Sequence, residues 1–272
     1  METAGTVFLG TSGYDYPEWR GIFYPQDIKR SDFLLYYSTV FNALELNNTF
    51  YNMPSPERIS SFMERSENRV SLSIKANRLL THEVDQNWKS QAELFKGAIL
   101  PAREKELLEA VLFQFPQSFH YTPENRIYLS KLIAEFEGFP VVIEFRHKEW
   151  IRESVFTGLV ERGASVAFCD MPALKALPNA DFSKSLYSQF IGDIAYIRLH
   201  GRNENAWYAD NQNTGSSSAR YNYDYSEAEL LEFVPVIKTA GKEKRKPLVF
   251  FNNHPNGYGP KNAKHLSELL KN

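Results

Sequence analysis

The sequence predicts an α/β fold, a single (β/α)8 TIM-type barrel spanning residues 1–272 as one domain. Eight short apolar runs recur along the chain, each followed by a helical or loop-plus-helical stretch, at about the spacing of βαβ units of ~30 residues. The length of 272 residues is enough for two small domains or one α/β barrel, and it meets the usual barrel size of about 250 without needing a second domain. Most of the runs also end in polar or charged side chains, and the carboxyl ends of parallel strands are where such folds bind ligands. An open doubly wound sheet would need a phosphate-cradling G-x-G-x-x-G turn, and Gly10-Thr11-Ser12-Gly13 lacks that spacing.

The elements follow in order. Thr6 to Leu9 reads as the first strand, running into an aromatic loop from Tyr14 to Pro25. Ser31 is a plausible N-cap for a helix over 31–40, and Ala43 to Asn47 is the second strand. Ser55 before Pro56 marks a cap and first turn opening a helix to Asn68, and Ser71 to Lys75 is the third strand. The stretch 90–109 reads as a helix interrupted at Pro101, because proline removes a backbone donor. Ala110 to Pro116 is the fourth strand, and Thr122-Pro123 starts a helix that stops at Gly138. The β-branched run Val141-Val142-Ile143 forms a fifth strand, buried on both faces, followed by a helix over 149–162. Ser165 to Cys169 and Ile194 to Leu199 are the sixth and seventh strands. Ser226-Glu227-Ala228-Glu229 is a capping box opening a helix to Ala240, Pro247 to Phe251 is the eighth strand, and Pro260 to Leu270 is the last helix.

Composition narrows the function. With 31 basic and 33 acidic residues the net charge is -2, so no bulk positive field draws nucleic acid or an anionic membrane. No apolar run approaches the ~20 residues of a membrane span, and the amino terminus lacks a basic segment followed by an apolar core, which predicts a cytoplasmic protein without membrane partners. The lone cysteine, Cys169, excludes an internal disulfide and reads as a buried, inert thiol. Lys242-Glu243-Lys244-Arg245-Lys246 lies before the eighth strand, at the amino-terminal face, where a solvated loop explains it.

Strand side chains alternate with period two, which predicts that Glu45, Glu144, Arg146, Asp170, Arg198 and His200 point into the barrel. The expected site has Glu144, His200 and Asp170 as catalytic groups, with His200 as general acid/base because an unperturbed imidazole titrates near neutral pH. Glu45, Asn47, Lys75, Gln114, Arg146, Arg198, Asn252 and Asn253 are expected to bind the ligand, with Tyr14 and Trp207 stacking on a ring. Trp19 and Tyr51 are expected to pack around the rim. Arginines interleaved with carboxylates disfavour a metal, and no cofactor is expected. A glycosidase pair of carboxylates would come from strands four and seven, where Gln114 and His200 stand instead. The expected ligand is small, polar and anionic or sugar-like, and it would be bound, hydrolysed or isomerised. The polar segment 201–225 is expected to form a lid. Oligomeric state is left open.

The blocks GTSGYDYPEWRGIFYP (10–25), ALELNNTFYNMPSPE (43–57), LFQFPQSF (112–119), VIEFRHKEW (142–150), YIRLHGR (196–202) and VFFNNHPNGYGPKNA (249–263) closely resemble the DUF72 or YecE-like family. The resemblance runs in order from end to end. It implies a (β/α)8 barrel and little chemistry, since the family is named for its unknown function. A distant likeness of that family to the endonuclease IV type of barrel implies nucleic-acid binding, or endonuclease-like behaviour, as the alternative function.

Overall fold

The computed structural model describes residues 6–178, 192–207, 219–243 and 245–271. Eight parallel strands close into a barrel in sequence order, β1 pairing with β8. They are β1 (Phe8–Ser12), β2 (Ala43–Leu46), β3 (Ser71–Lys75), β4 (Leu108–Gln114), β5 (Val141–Glu144), β6 (Ser165–Asp170), β7 (Ile194–Leu199) and β8 (Lys246–Phe251). The helices are α1 (Phe33–Ser38), α2 (Asn48–Tyr51), α3 (Pro56–Arg65), α4 (Trp88–Glu104), α5 (Pro123–Glu135), α6 (Glu153–Val160), α7 (Glu227–Leu231), α8 (Val234–Lys242) and α9 (Tyr258–Lys271).

Alternation along each strand separates two cores. Phe8, Ala43, Ala110, Leu112, Val142, Ala167, Ile194, Tyr196, Leu248 and Phe250 fill the barrel, while the residues between them pack outward under the helices. The caps read from the sequence are present: Ser55 and Thr122 accept the backbone N–H groups of Arg58 and Asn125, and Ser226 and Glu229 form a reciprocal capping box.

Several boundaries differ from expectation. Helix α4 passes through Pro101, which sits in its last turn, where one backbone bond is lost while Ala98, Ile99 and Ala102 stay buried. Asp32 rather than Ser31 precedes α1, a single-turn 3-10 segment precedes α6 at Lys148–Trp150, and the helix after Ser226 breaks into α7 and α8 ahead of Pro235. Strand β4 carries an extra residue at Glu109, which shifts its register against β3. Glu109 accepts from Lys246 at 2.5 Å and from Ser71 at 3.2 Å, so an ion pair closes the amino-terminal end of the barrel and Lys246 is not a freely solvated loop charge.

Candidate active site

The carboxyl end of the barrel holds two layers of polar side chains. The inner layer is closed on itself. Arg198, on β7, is 2 % exposed and donates to both Glu45 oxygens (Nε to Oε2, 2.9 Å; Nη2 to Oε1, 2.6 Å) and to Glu144 Oε2 (Nη1, 2.7 Å). The Tyr196 hydroxyl donates to Glu45 Oε2 at 2.7 Å and lies 2.6 Å from Ser73 Oγ. Burial raises the pKa of both carboxyls, and the guanidinium beside each outweighs it: Arg198 holds Glu45 below its ordinary range, and Arg146 with Arg198 holds Glu144 well below. A guanidinium fork matched to a carboxylate is the geometry in which a buried ion pair recovers its desolvation cost.

The outer layer faces the mouth. Arg146 bonds Glu144 Oε1 through Nε and meets His200 Nε2 through Nη2 at 3.0 Å. Arginine offers no acceptor, so Nε2 receives that bond, and a neutral imidazole then carries its proton on Nδ1. The Asn252 amide lies 2.9 Å from Nδ1, and its oxygen is the partner that proton requires. Burial, followed by the Arg146 and Arg198 charges, pushes the His200 pKa well down. His200 is therefore held as a neutral hydrogen-bonding link, unlike the freely titrating acid/base expected from the sequence.

Lys75 is the group that titrates near neutrality. Its Nζ donates to the Gln114 amide oxygen at 2.8 Å and stands 4.2 Å from the Phe50 ring centre. Burial, then the Arg198 charge, lowers its pKa to about 7. Among the described residues no carboxylate lies within ion-pair distance of it.

Above this layer a cavity of about 320 Å³ is lined by Gln114, Arg146, His82, Trp207 and Tyr221, among others. That is within the range of small-molecule pockets. Trp207 is buried, and its ring lies 6.3 Å from His200 and from Tyr221. His82, whose pKa burial lowers to about 4, completes the wall beside Lys75. A larger groove of about 480 Å³ lies away from the mouth, between α5 and α6.

Glu45, Glu144, Arg146, Arg198 and His200 are thus assembled as the alternation predicts, and the strand-end residues Lys75, Gln114 and Asn252 and the loop residue Trp207 join them. Asp170 is a correction. Ala167 and Cys169 occupy the inward positions of β6, so Asp170 turns outward, accepting from Tyr225 Oη at 2.6 Å and Arg202 Nε at 3.0 Å. Asn253 also leaves the mouth: its amide donates to Tyr223 O and Asn262 Oδ1, fastening the loop to α9. Tyr14 packs edge-on against Phe62 and lines a separate groove with Arg58 and Arg65. Asn47 is half-buried, with an Oδ1 that lacks a partner. Trp19 packs as expected, fully buried and donating to His254 O, whereas Tyr51 is 68 % exposed. The middle of the expected lid, 208–218 with Tyr208, lies outside the described residues.

Sequence reasoning missed His82, Tyr221 and the inward thiol of Cys169. The small residue Ala167 between Val166 and Phe168 was the available signal for the face of β6, since larger side chains pack under the helices. Glu144, Cys169 and His200 present ligand atoms within 4.8 Å of one another. Both Glu144 oxygens already bind guanidinium groups, and both His200 nitrogens have partners. Two cations beside these donors make the set unfit for a metal ion.

Among the described residues no helix is long and apolar enough to cross a membrane. The chain is 25% identical to the UPF0759 protein YunF of Bacillus subtilis (strain 168), covering 97% of this chain and 94% of that protein. A crystal structure of a DUF72 family protein from Thermotoga maritima MSB8 is 31% identical and superposes with a TM-score of 0.85 over 98% of this chain and all of the other. A second, from Enterococcus faecalis V583, is 21% identical with a TM-score of 0.82 over 98% and 96%. The profile of the family described as "Protein of unknown function DUF72" matches residues 8–272. The chain, a closed eight-stranded parallel barrel with a charged carboxyl-terminal mouth, belongs to that family.

Proposed function

We propose that the mouth binds a small anionic ligand, with Arg146 and Lys75 as its charge-recognising groups and Trp207 and Tyr221 against its apolar or ring portion. One observation carries this reading: two buried carboxylates, Glu45 and Glu144, face three cations, the buried Arg198 and the half-buried Arg146 and Lys75. Arg198 is consumed by the carboxylates. Among the described residues Lys75 has only an amide oxygen and an aromatic face, so a protonated Lys75 leaves one positive charge unmatched beside the cavity. An anion next to it supplies the missing counter-charge, raises the Lys75 pKa and removes the desolvation cost.

Hydrolysis or isomerisation at this site would draw a proton from Lys75 acting as general acid, since its pKa of about 7 in the free protein rises when an anion binds and keeps it protonated in the complex. Glu144 and His200 then act on Arg146: the carboxylate orients its Nε and the imidazole its Nη2.

The test is a thermal-shift and calorimetric screen of sugar phosphates, nucleotides and carboxylates, each beside its neutral analogue. A shift for an anion that vanishes in Arg146→Met and Lys75→Met is the expected result. Equal binding of the neutral analogues, or no binding across the panel, would overturn the proposal.

A further inference from the structure

Outside the mouth, the loops after β4 and β5 bring together His120, His147 and Glu149. His120 Nδ1 lies 3.2 Å and His147 Nδ1 3.6 Å from the same carboxylate oxygen, Glu149 Oε2, and the three residues each offer a ligand atom within 4.8 Å of the others. A tetrahedral ion with ligand bonds of about 2.0–2.1 Å needs donors roughly 3.4 Å apart, which is the spacing of these two edges. We propose that this triad is a divalent transition-metal site, suited to zinc or cobalt, with its fourth position open to water.

The donor chemistry selects the metal class. Two imidazoles with one carboxylate suit zinc, cobalt or nickel, whereas magnesium and calcium prefer oxygen ligands alone. The groups are also oriented before any ion arrives. The Glu149 backbone N–H donates to His147 Nδ1 at 3.3 Å, so that nitrogen carries a lone pair; an ion would displace this long bond and the 3.2 Å bond between His120 Nδ1 and Glu149 Oε2, releasing the His120 Nδ1 proton. The Tyr121 backbone N–H donates to Glu149 Oε2 at 3.2 Å and holds the carboxylate below its usual pKa, as an outer partner of a metal ligand does. The two histidine rings stand 4.5 Å apart, with the His120 side chain 52% exposed, so solvent reaches the site. Arg152 donates to the Glu149 carbonyl, and both it and Arg126 lie over the Tyr121 ring. These cations weaken the site and argue for micromolar rather than structural affinity. His147 directly follows Arg146, so an ion here would fasten two mouth loops together beside the anion-binding arginine.

The test uses the whole protein and the metal alone. Titration with cobalt(II) is expected to give visible d–d absorption at one equivalent, displaced by zinc and lost in His120→Ala and Glu149→Gln. His265→Ala, at a half-buried histidine on α9 paired with Glu227, is expected to leave it unchanged. His120 is exposed, and an unchanged melting temperature of His120→Ala without metal confirms that the fold is kept. Cobalt binding that survives both triad substitutions, or magnesium binding of equal strength, would overturn the assignment.

Discussion

Lys75 and Arg198 are two cations at the same mouth, and their partners give them opposite consequences for stability. Lys75 is depressed from 10.5 to about 7, so between those values the unfolded chain holds a proton that the folded one lacks. Stability therefore rises with pH across that window, and below it the full penalty is present. Lys75→Met, similar in length and uncharged, is expected to be more stable than the parent at pH 7 by on the order of a few kcal/mol. That advantage should fade toward pH 10; a pH-independent difference in chemical denaturation would count against the half-buried, counter-ion-poor lysine. Arg198 behaves the other way. Its removal strands Glu45 and Glu144 without their guanidinium, so Arg198→Met should cost about 3–5 kcal/mol. Adding Glu45→Gln and Glu144→Gln to the same chain should recover most of the loss, and urea melts of the single and triple variants will decide this.

At the scale of elements, β6 shows what periodicity reveals and where it stops. Alternation alone placed Glu45, Glu144, Arg146, Arg198 and His200 in one cluster, because their strands carry apolar residues of unmistakable parity up to the last turn. On β6 both faces are apolar, so parity gives the spacing of Cys169 and Asp170 but not which of them is inside. The deciding contacts come from far away in sequence: Tyr225 and Arg202 lie 55 and 32 positions from Asp170. Asn253 was misplaced for the same reason, its partner Asn262 belonging to α9. The altered pKa values of Lys75 and His200 were equally hidden, since they arise from burial and from charges on other strands. The β6 assignment makes a separable prediction. Asp170→Asn should lower stability by about 2 kcal/mol through its weakened bonds to Arg202 and Tyr225, yet leave anion binding at the mouth unchanged. Loss of binding with stability intact would return Asp170 to the site.

For the whole molecule, closure of the sheet leaves no edge strand among the described residues, and the strand order follows the chain. We expect the chain to unfold as one cooperative unit, with calorimetric and van't Hoff enthalpies in agreement; two resolved transitions would divide it into domains. The arrangement places an inner ion network beneath an outer layer with one unmatched cation, so binding an anion should be coupled to protonation of Lys75. The most direct measurement is titration calorimetry at pH 8 with inorganic phosphate, ribose 5-phosphate or citrate, whichever the screen finds to bind, in two buffers of different ionisation enthalpy. With Lys75 largely neutral beforehand, binding is expected to take up close to one proton, and Lys75→Met should take up none. Binding without proton uptake, or with uptake unchanged in Lys75→Met, would contradict the account.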